Sequence, residues 1–198
     1  AHPLDEYKIV LDNLCNTKCA ELADISLLKD REDVIIGGIV TGIKSKFTKK
    51  GTPCGFITIE DFDGSGELAF FGEDWGKWNG MFKEGTTVYI TAKCQQRFRD
   101  SNMYDLKVGN IEYLQTIKEK SIDHVTISLK TDIINEQIVN ELTEIIDENP
   151  GNTQLFFQLH DSQGTSHVLL RSKNKRVDLK RSLIHFIEEQ PALDYKIN

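Results

Sequence analysis

The sequence predicts a mainly β protein in which an N-terminal helical segment, a five-stranded barrel and a small α+β domain follow one another. Three observations support this prediction. The apolar residues have a helical period before residue 34, form β-branched and glycine-interrupted runs up to residue 116, and alternate between the two patterns from residue 117 onward. We therefore expect domain boundaries at 1–33, 34–116 and 117–198.

The composition narrows the class of protein. Of the 198 residues, 39% are hydrophobic and 28% are charged, which is usual for a globular chain. No apolar run reaches the roughly 20 residues of a membrane span, and no signal-peptide pattern opens the given sequence, so we expect a cytoplasmic protein with no membrane partner. The first residue is not Met, which suggests a piece of a longer protein. The net charge of −7 argues against coating of duplex DNA by bulk charge, so a nucleic-acid site would have to be local.

The N-terminal segment reads as helical. In HPLDEYKIVLDNL, the residues Leu4, Tyr7, Leu11 and Leu14 fall on one face of a helix, and acidic residues near its start favour the helix dipole. A second short helical or irregular stretch follows over residues 20–28.

The central segment gives a recognisable order of elements. VIIGGIVTGIKSKF is typical of a strand that bends at its glycines, CGFITIED and ELAFF are a second and a third strand, and EDWGKWNGMF is a short amphipathic helix. TVYITAKCQQRF and YDLKVGNIEYL are the last two strands. Three strands, a helix and two strands are the chain order of the five-stranded OB-fold barrel.

The last segment mixes strands and helices. HVTISL predicts a strand, and 135–148 predicts a helix that Asn149-Pro-Gly ends. QLFFQLHD, SHVLLR and KRV predict strands, and 179–189 predicts a closing helix capped by Asp178. The apolar stripe of the first of these helices consists of Ile138, Val139, Leu142, Ile145 and Ile146.

The second and third strands of the barrel carry the sharpest local signal for a site. Because alternate residues of a strand share a face, inward Ile57 and Ile59 leave Phe56, Thr58 and Glu60 outside. On the next strand, Leu68 and Phe70 face inward, and Glu67, Ala69 and Phe71 face outward. An outward Phe on the middle strands of an OB barrel can stack on a base, for about 1–3 kcal/mol. The alternative is that Phe56 packs beneath a loop.

Two loops next to this face combine cations with aromatic side chains, and these are the loops with which OB folds hold a nucleic-acid strand. The alternative to nucleic-acid binding by the first loop is that it is only a solvated, lysine-rich hairpin. The first loop contributes Lys44, Lys46, Phe47, Lys49 and Lys50, and the second contributes Arg97, Phe98, Arg99 and Tyr104, with Lys107 on the strand that follows. Glu60 and Glu67 would repel phosphate, so we expect weak, salt-sensitive binding.

Metal and catalytic sites are not predicted. Cys15 and Cys19 lack a second Cys or His pair at zinc spacing and read as free thiols. Asp61 and Asp63 lie in an Asp- and Gly-rich β-turn that does not follow the calcium template. No nucleophile motif or phosphate loop is present, so we expect no cofactor and no active site in these residues.

A second basic cluster lies in the last segment. It could contact nucleic acid or an acidic partner, or be the solvated rim of a hairpin. Its members are Arg171, Lys173, Lys175, Arg176, Lys180 and Arg181.

These residues resemble a known family. HPLDEY, the turn Thr48-Lys49-Lys50-Gly51 and the pattern F-x-x-I-E-D-x-x-G-x-x-E from Phe56 to Glu67 are similar to the C-terminal region of the bacterial DNA polymerase III alpha subunit, with Ile59 where the family usually has Leu. The resemblance is close over residues 2–115. Over 116–198 it is weaker, confined to the layout and Pro150-Gly151.

The resemblance implies a role. In that family the OB domain lies near the single-stranded template, the last domain binds the tau subunit of the clamp loader within the replisome, and the catalytic carboxylates of the polymerase lie upstream. The same strand pair is also similar to the anticodon-binding domain of class II aminoacyl-tRNA synthetases, in which Arg and Gln stand at the positions of Glu60 and Glu67. The two acidic residues make the tRNA alternative the weaker one. An OB-fold protein-interaction module without nucleic-acid binding is the other alternative.

Overall fold

The computed structural model describes residues 2–99, 102–161, 163 and 167–198, and the chain divides into two compact units. The first unit ends at Ile117 and the second begins at Lys118. Within the described residues, no helix is both long and apolar enough to cross a membrane.

The first unit contains the five predicted strands as one antiparallel sheet. Its strand order is β3-β2-β1-β4-β5, and helix α2 (Glu73–Trp78) connects β3 to β4, as in an OB fold. The strands are β1 (Val34–Phe47), β2 (Pro53–Glu60), β3 (Ser65–Phe71), β4 (Thr87–Gln96) and β5 (Tyr104–Tyr113).

Strand β1 serves both halves of the sheet. Its first half pairs with β4 and its second half pairs with β2, and the register shifts between Val40 and Gly42. Gly38 allows the backbone of β2 to approach closely, because a Cβ there would lie 2.7 Å from the carbonyl oxygen of Glu60. Strand β1 therefore changes partner within its glycine-containing stretch.

The side chains that fill the interior of this unit are those that the alternation of inward and outward residues along β2 and β3 predicts. Ile57, Ile59, Leu68 and Phe70 are all buried. Phe70 packs against Trp75 of α2 and against Phe82, with ring centroids 6.5 Å and 5.2 Å apart. Burial of these side chains is the main stabilisation of the sheet, at about 1.5–3 kcal/mol for each.

The five strands do not close into a complete barrel. All residues of β3 and β5 are described, and these two edge strands are not hydrogen-bonded to each other. Residues of the N-terminal segment lie between them, since Leu22 and Ile25 line the gap and Leu22 belongs to the same apolar core as the strands. The segment thus takes the place of the pairing that would close the barrel.

The N-terminal segment contains short helices rather than one long one. Helix α1 (Lys8–Leu14) follows a 3-10 turn, Asp5–Tyr7, and further 3-10 turns span Cys19–Ala23 and Ile25–Leu28. The predicted apolar face is partly wrong, because the structure buries Ile9 and Val10 while Tyr7 and Leu14 are half-buried. The tighter 3-10 turn changes the angular position of the side chains, and α1 packs against β1.

The N-terminal segment is fixed to the sheet by polar contacts. Arg31 forms a two-point ion pair with Glu21, with nitrogen–oxygen distances of 2.6 and 3.2 Å, and donates to the hydroxyl of Thr17. This arginine holds the pKa of Glu21 below its usual range. Thr17 is buried and forms an isolated bridge with Ile36 of β1. The segment therefore belongs to the same compact unit as the strands.

The second unit is a four-stranded mixed sheet with the order β8-β7-β6-β9. Strands β6 and β7 are parallel and are connected by α4, as in a βαβ unit, and β8 and β9 run antiparallel to their neighbours. Helix α3 (Leu114–Ser121) spans the boundary between the units. The other elements are β6 (His124–Lys130), α4 (Glu136–Glu148), β7 (Pro150–His160), β8 (His167–Val177), α5 (Arg181–Glu189) and β9 (Leu193–Ile197).

Four details of the second unit differ from the prediction. Strand β8 is one irregular strand rather than two, and β9 was not predicted, because its five residues include the charged Asp194 and Lys196. Val139 is 44% exposed, at the border of the α4 stripe. Helix α5 starts after Lys180, and Asp178 does not cap it because its carboxylate pairs with Lys118 at 2.8 Å.

Candidate nucleic-acid interface

The outward face of β2 and β3 brings the predicted aromatic residues together. Phe56 and Phe71 meet edge to face with ring centroids 6.0 Å apart, and Phe71 is 49% exposed. The Nζ atom of Lys46 lies 4.5 Å from the centroid of the Phe56 ring, a cation–π contact. We call this surface the Phe56 face; its residues are Lys44, Lys46, Phe56, Thr58, Glu67, Ala69 and Phe71.

The strand register explains why these side chains meet. Lys44, Phe56 and Ala69 lie directly across from one another on three neighbouring strands, and so do Lys46, Cys54 and Phe71. Residues opposite each other in a sheet point to the same side. The face is therefore a property of the sheet itself, with no loop folded over Phe56 in the described contacts.

Charge changes sign along the Phe56 face. The lysines lie toward the β1–β2 loop, whereas Glu67 lies opposite Thr58 in the next row toward the β2–β3 turn, and Glu60 lies one row further. The acidic residues predicted beside Phe56 are present, at one end only. A phosphate chain would favour the lysine end of the face.

The β1–β2 loop is a tight hairpin that exposes its cations. Gly51 has a φ of +78°, and the Thr48 amide donates to the carbonyl oxygen of Thr52 at 2.8 Å. Phe47 is 74% exposed, and Lys49 and Lys50 lie at the tip. In the part of the chain that the structure describes, no carboxylate pairs with Lys44, Lys46 or these two tip lysines.

The β4–β5 loop is described except for residues 100 and 101. Phe98 is 61% exposed, Arg99 is exposed and Tyr104 is half-buried. Arg97 lies 5.7 Å from the Phe98 ring and 3.4 Å from the carboxylate of Asp105. Its charge is therefore partly neutralised within the unit.

Lys107 also has an acidic neighbour. Its Nζ lies 2.6 Å from the carboxylate of Asp74, which α2 supplies. Neither Asp74 nor Asp105 was predicted from the sequence as a partner of these cations. The alternation within β5 could have placed Asp105 and Lys107 on one face, but nothing in the sequence indicates that α2 lies beside β5.

A groove of about 420 Å³ follows the open seam between β3 and β5. Ala69 and Phe71 line one wall, and Arg97 and Lys107 line the other. Phe71 thus belongs to both the groove and the Phe56 face, so the two predicted loops flank one continuous surface.

Asp61 has a structural role. It is 8% exposed, and its carboxylate accepts hydrogen bonds from the backbone N–H groups of Cys19, Asp63 and Gly64 at 2.7, 2.8 and 3.0 Å. The predicted turn in this Asp- and Gly-rich sequence is therefore confirmed. The Asp61 carboxylate also forms a hydrogen bond with the N-terminal segment, through the Cys19 amide. Asp63 pairs with Lys18 at 2.8 Å.

The four cysteines are free thiols, of which Cys19 and Cys54 are buried and Cys15 and Cys94 are half-buried. Burial raises the pKa of Cys15 to about 12 and moves that of Cys19 upward as well, so both thiols stay protonated at neutral pH.

The strand order and the helix between β3 and β4 define an OB fold, and residues 34–114 match the family model described as an OB-fold nucleic acid binding domain. Residues 125–198 match the family model of the DNA polymerase III alpha subunit, C-terminal domain. This last stretch is therefore similar to that C-terminal domain, although its sequence resemblance is the weaker one.

The curated relatives agree with the family models. The chain is 27% identical over 199 residues to the DNA polymerase III subunit alpha of Borreliella burgdorferi, a match that covers 98% of this chain and 16% of the relative. It is 25% identical over 174 residues to that of Saccharopolyspora erythraea, covering 87% of this chain and 14% of the relative. The chain therefore spans about one seventh of the length of these relatives.

Solved structures give distant similarities. The mitochondrial single-stranded DNA binding protein Rim1 of S. cerevisiae aligns with a TM-score of 0.32 and 13% identity, over 43% of this chain and 97% of that one. The second OB-fold domain of replication protein A from Methanococcus maripaludis aligns with a TM-score of 0.29 and 19% identity, over 46% and 91%. The fold assignment rests on the strand order and the family model.

Proposed function

We propose that the chain is a non-catalytic part of a DNA polymerase III alpha subunit, acting in the cytoplasm, whose OB-fold unit holds single-stranded template DNA near a polymerase site located elsewhere in the parent protein. The observation that carries this proposal is the Phe56 face, where Phe56, Phe71 and Lys46 meet on an exposed sheet beside three further lysines without acidic partners among the described residues. Aromatic rings stack on bases, and lysines track the phosphates.

The binding mode follows from the geometry. A base stacks on Phe71 and the open side of Phe56, while Lys46 turns from the ring to a phosphate. Lys44, Lys49 and Lys50 hold the strand at the lysine end of the face, and Glu67 keeps phosphates away from the other end. Arg97 and Lys107 contribute less than bare cations would, because each already has a carboxylate neighbour. Binding is therefore weak and strongly dependent on salt.

The test is a fluorescence anisotropy titration of labelled oligo-dT with the full chain at low salt. We expect Phe56→Ala to weaken binding about tenfold, which is the loss of one stacked base, and Lys46→Glu or Lys49→Glu to weaken binding by a similar factor. Phe62→Ala and Lys83→Glu are matched controls outside the Phe56 face and should leave the affinity within twofold. Equal affinities for all five variants and the unchanged chain would contradict the proposal.

A second candidate function is supported by the acidic residues on this surface. Glu60 and Glu67 give the β2–β3 end of this surface an acidic character that suits a basic protein partner. On this hypothesis the OB unit contacts other parts of the polymerase or the clamp loader, and oligonucleotide binding is undetectable at low salt while purified tau subunit retains the chain. A preference for a tRNA stem-loop over oligo-dT would instead indicate an anticodon-type reader.

Tethering of the polymerase to the clamp-loader tau subunit and to other replisome proteins is proposed for the second unit. The support is its match to the family formed by the C-terminal domain of the alpha subunit.

A further inference from the structure

The sheet of the second unit has one buried and one open face. On one side, alternate residues such as Val125, Ile127 and Leu155 are buried, and the helices α4 and α5, which contact each other, also bury apolar residues. The residues between them form the other side, and none of these is buried. The open face consists of His124, Thr126, Ser128, Gln154, Phe156, Gln158, Leu169, Arg171, Arg176, Asp194 and Lys196.

An aromatic and cationic cluster lies in the middle of the open face. Phe156 of β7 is flanked by the His124 ring, with centroids 4.9 Å apart and planes tilted by 56°. The guanidinium carbon of Arg171 on β8 lies 6.0 Å from the centroid of the Phe156 ring. In the sheet, Phe156 lies between Thr126 and Arg171, which are both polar. The Phe156 side chain is therefore not part of an apolar core on this face.

Cations surround the ring along the sheet. Lys196, Thr126, Phe156 and Arg171 occupy one row across all four strands, so the backbones of Lys196 and Arg171 lie about 14 Å apart, on either side of Phe156, given a strand spacing near 4.8 Å. Arg176 lies in the adjacent row, where it donates to the carbonyl oxygen of Asn152. Among the described residues, none of these three cations has a carboxylate partner.

The polar residues between the cations add hydrogen-bonding capacity. Thr126, Ser128, Gln154 and Gln158 present hydroxyl and amide groups that can both donate and accept. Only Asp194 brings a negative charge to the residues of the open face, and its carboxylate accepts from the amide of Tyr195 at 2.8 Å. The chemistry is thus a planar stacking surface, flanking cations and mixed polar groups on an open sheet.

We propose that the open face of this second sheet is a separate binding site for single-stranded nucleic acid, in which Phe156 and His124 stack on a base and Arg171 and Lys196 hold phosphates. A four-stranded sheet with an aromatic residue on its open face is a general solution for single strands, because unpaired bases lie flat on it and expose their edges to polar side chains. This site does not depend on the Phe56 face.

The test uses the full chain with Lys46→Glu and Phe56→Ala already introduced, so that the Phe56 face does not contribute. A dT oligonucleotide that carries 5-iodouracil is photo-crosslinked to this chain, and the crosslinked tryptic peptides are identified by mass spectrometry. We expect crosslinks in the peptides that contain His124 or Phe156, competed by excess unmodified oligonucleotide.

Matched variants in the same background make the test quantitative. Arg171→Glu should lower the crosslinking yield at least fivefold, and Phe156→Leu, which keeps an apolar side chain there, should lower it about as much. Lys83→Glu makes the same charge change at an exposed position of the first unit, outside the Phe56 face and outside the second sheet, and should leave the yield within twofold. Circular dichroism checks that each variant is folded.

Two results would overturn the proposal. One is the absence of crosslinks in both peptides. The other is an equal loss of yield with Arg171→Glu and Lys83→Glu, which would show an effect of overall charge. If the open face instead retains a protein partner while no oligonucleotide crosslinks to it, the site is a protein interface and the inference fails.

Discussion

Asp61 shows how one buried carboxylate can connect two parts of the chain. It accepts one hydrogen bond from Cys19 in the N-terminal segment and two from its own turn. Hydrogen bonds from backbone N–H groups to a carboxylate are shorter and stronger than those between neutral groups. The position of Asp61 at the end of the F-x-x-I-E-D pattern is therefore explained by structure, without a ligand.

Replacement of Asp61 by Ala should lower the free energy of unfolding by about 3 kcal/mol, because backbone donors at the junction lose a charged acceptor. Urea denaturation, followed by the fluorescence of Trp75 and Trp78, measures this. Asp63→Ala is the control, since it removes only an exposed ion pair and should cost no more than about 0.5 kcal/mol. Similar losses for both variants would show that the junction bonds are not important.

At the scale of single residues, the sequence predicts the direction in which a side chain points. It predicts much less well which other side chains that residue contacts. The alternation of β2 and β3 placed Phe56 outward and Ile57 inward, because a strand has a fixed two-residue period. The ion pair between Lys107 and Asp74 joins residues 33 positions apart, and the packing of α2 that brings them together has no local signature. The same limit applies to Asp178, which pairs with Lys118 instead of capping α5.

At the scale of elements, the contact between the N-terminal segment and β3 depends on Gly66. A Cβ at this position would lie 2.1 Å from the carbonyl oxygen of Cys19 and 2.7 Å from the Cβ of Leu22. Neither atom is the end of a flexible side chain. Any side chain at Gly66 would therefore push the segment away from the sheet.

We expect Gly66→Ala to destabilise the first unit by about 1–3 kcal/mol and to speed the reaction of the Cys19 thiol with an alkylating reagent at least tenfold. Cys19 is 0% exposed, so labelling requires that the segment open. Gly80→Ala is the matched control, because a Cβ there has no atom within 4 Å. Unchanged labelling of Cys19 in Gly66→Ala would contradict this account of the junction.

Helices and strands were predictable where the periodic pattern of apolar residues was long and uninterrupted. The five strands of the first unit and the helix between β3 and β4 follow from β-branched runs separated by glycine-rich turns. Helix α1 and strand β9 were harder, because a 3-10 turn altered the phase of the former and charged residues interrupted the latter. The missing β3–β5 pairing was not predictable either, since it depends on where the distant Leu22 and Ile25 pack.

At the scale of the whole unit, buried thiols make stability depend on pH. Burial raises the pKa values of Cys15 and Cys19 in the folded state, so the folded chain keeps protons that the unfolded chain releases above about pH 9. The stabilisation is complete below pH 9 and is lost progressively as the pH rises, until it passes the folded value of about 12 for Cys15.

The free energy of unfolding of the first unit should therefore fall between pH 8 and pH 10 by about 1.4 kcal/mol for each thiol, since one pKa unit corresponds to 1.36 kcal/mol. Urea denaturation monitored by tryptophan fluorescence reports this unit alone, because both tryptophans belong to it. The double variant Cys15→Ala, Cys19→Ala should have a smaller pH dependence, whatever its absolute stability. An equal pH dependence in both proteins would assign the effect to other groups.

The open seam between β3 and β5 makes the width of the OB unit adjustable. Strands β3 and β5 are both fully described, and no backbone hydrogen bonds connect them. The distance between these two strands is therefore determined by the side chains of Leu22 and Ile25, which act as a spacer. Phe71 and Lys107 line opposite walls of the groove that this spacer holds apart. Leu22 and Ile25, which precede the first strand, therefore set the width of the groove that Phe71 and Lys107 line.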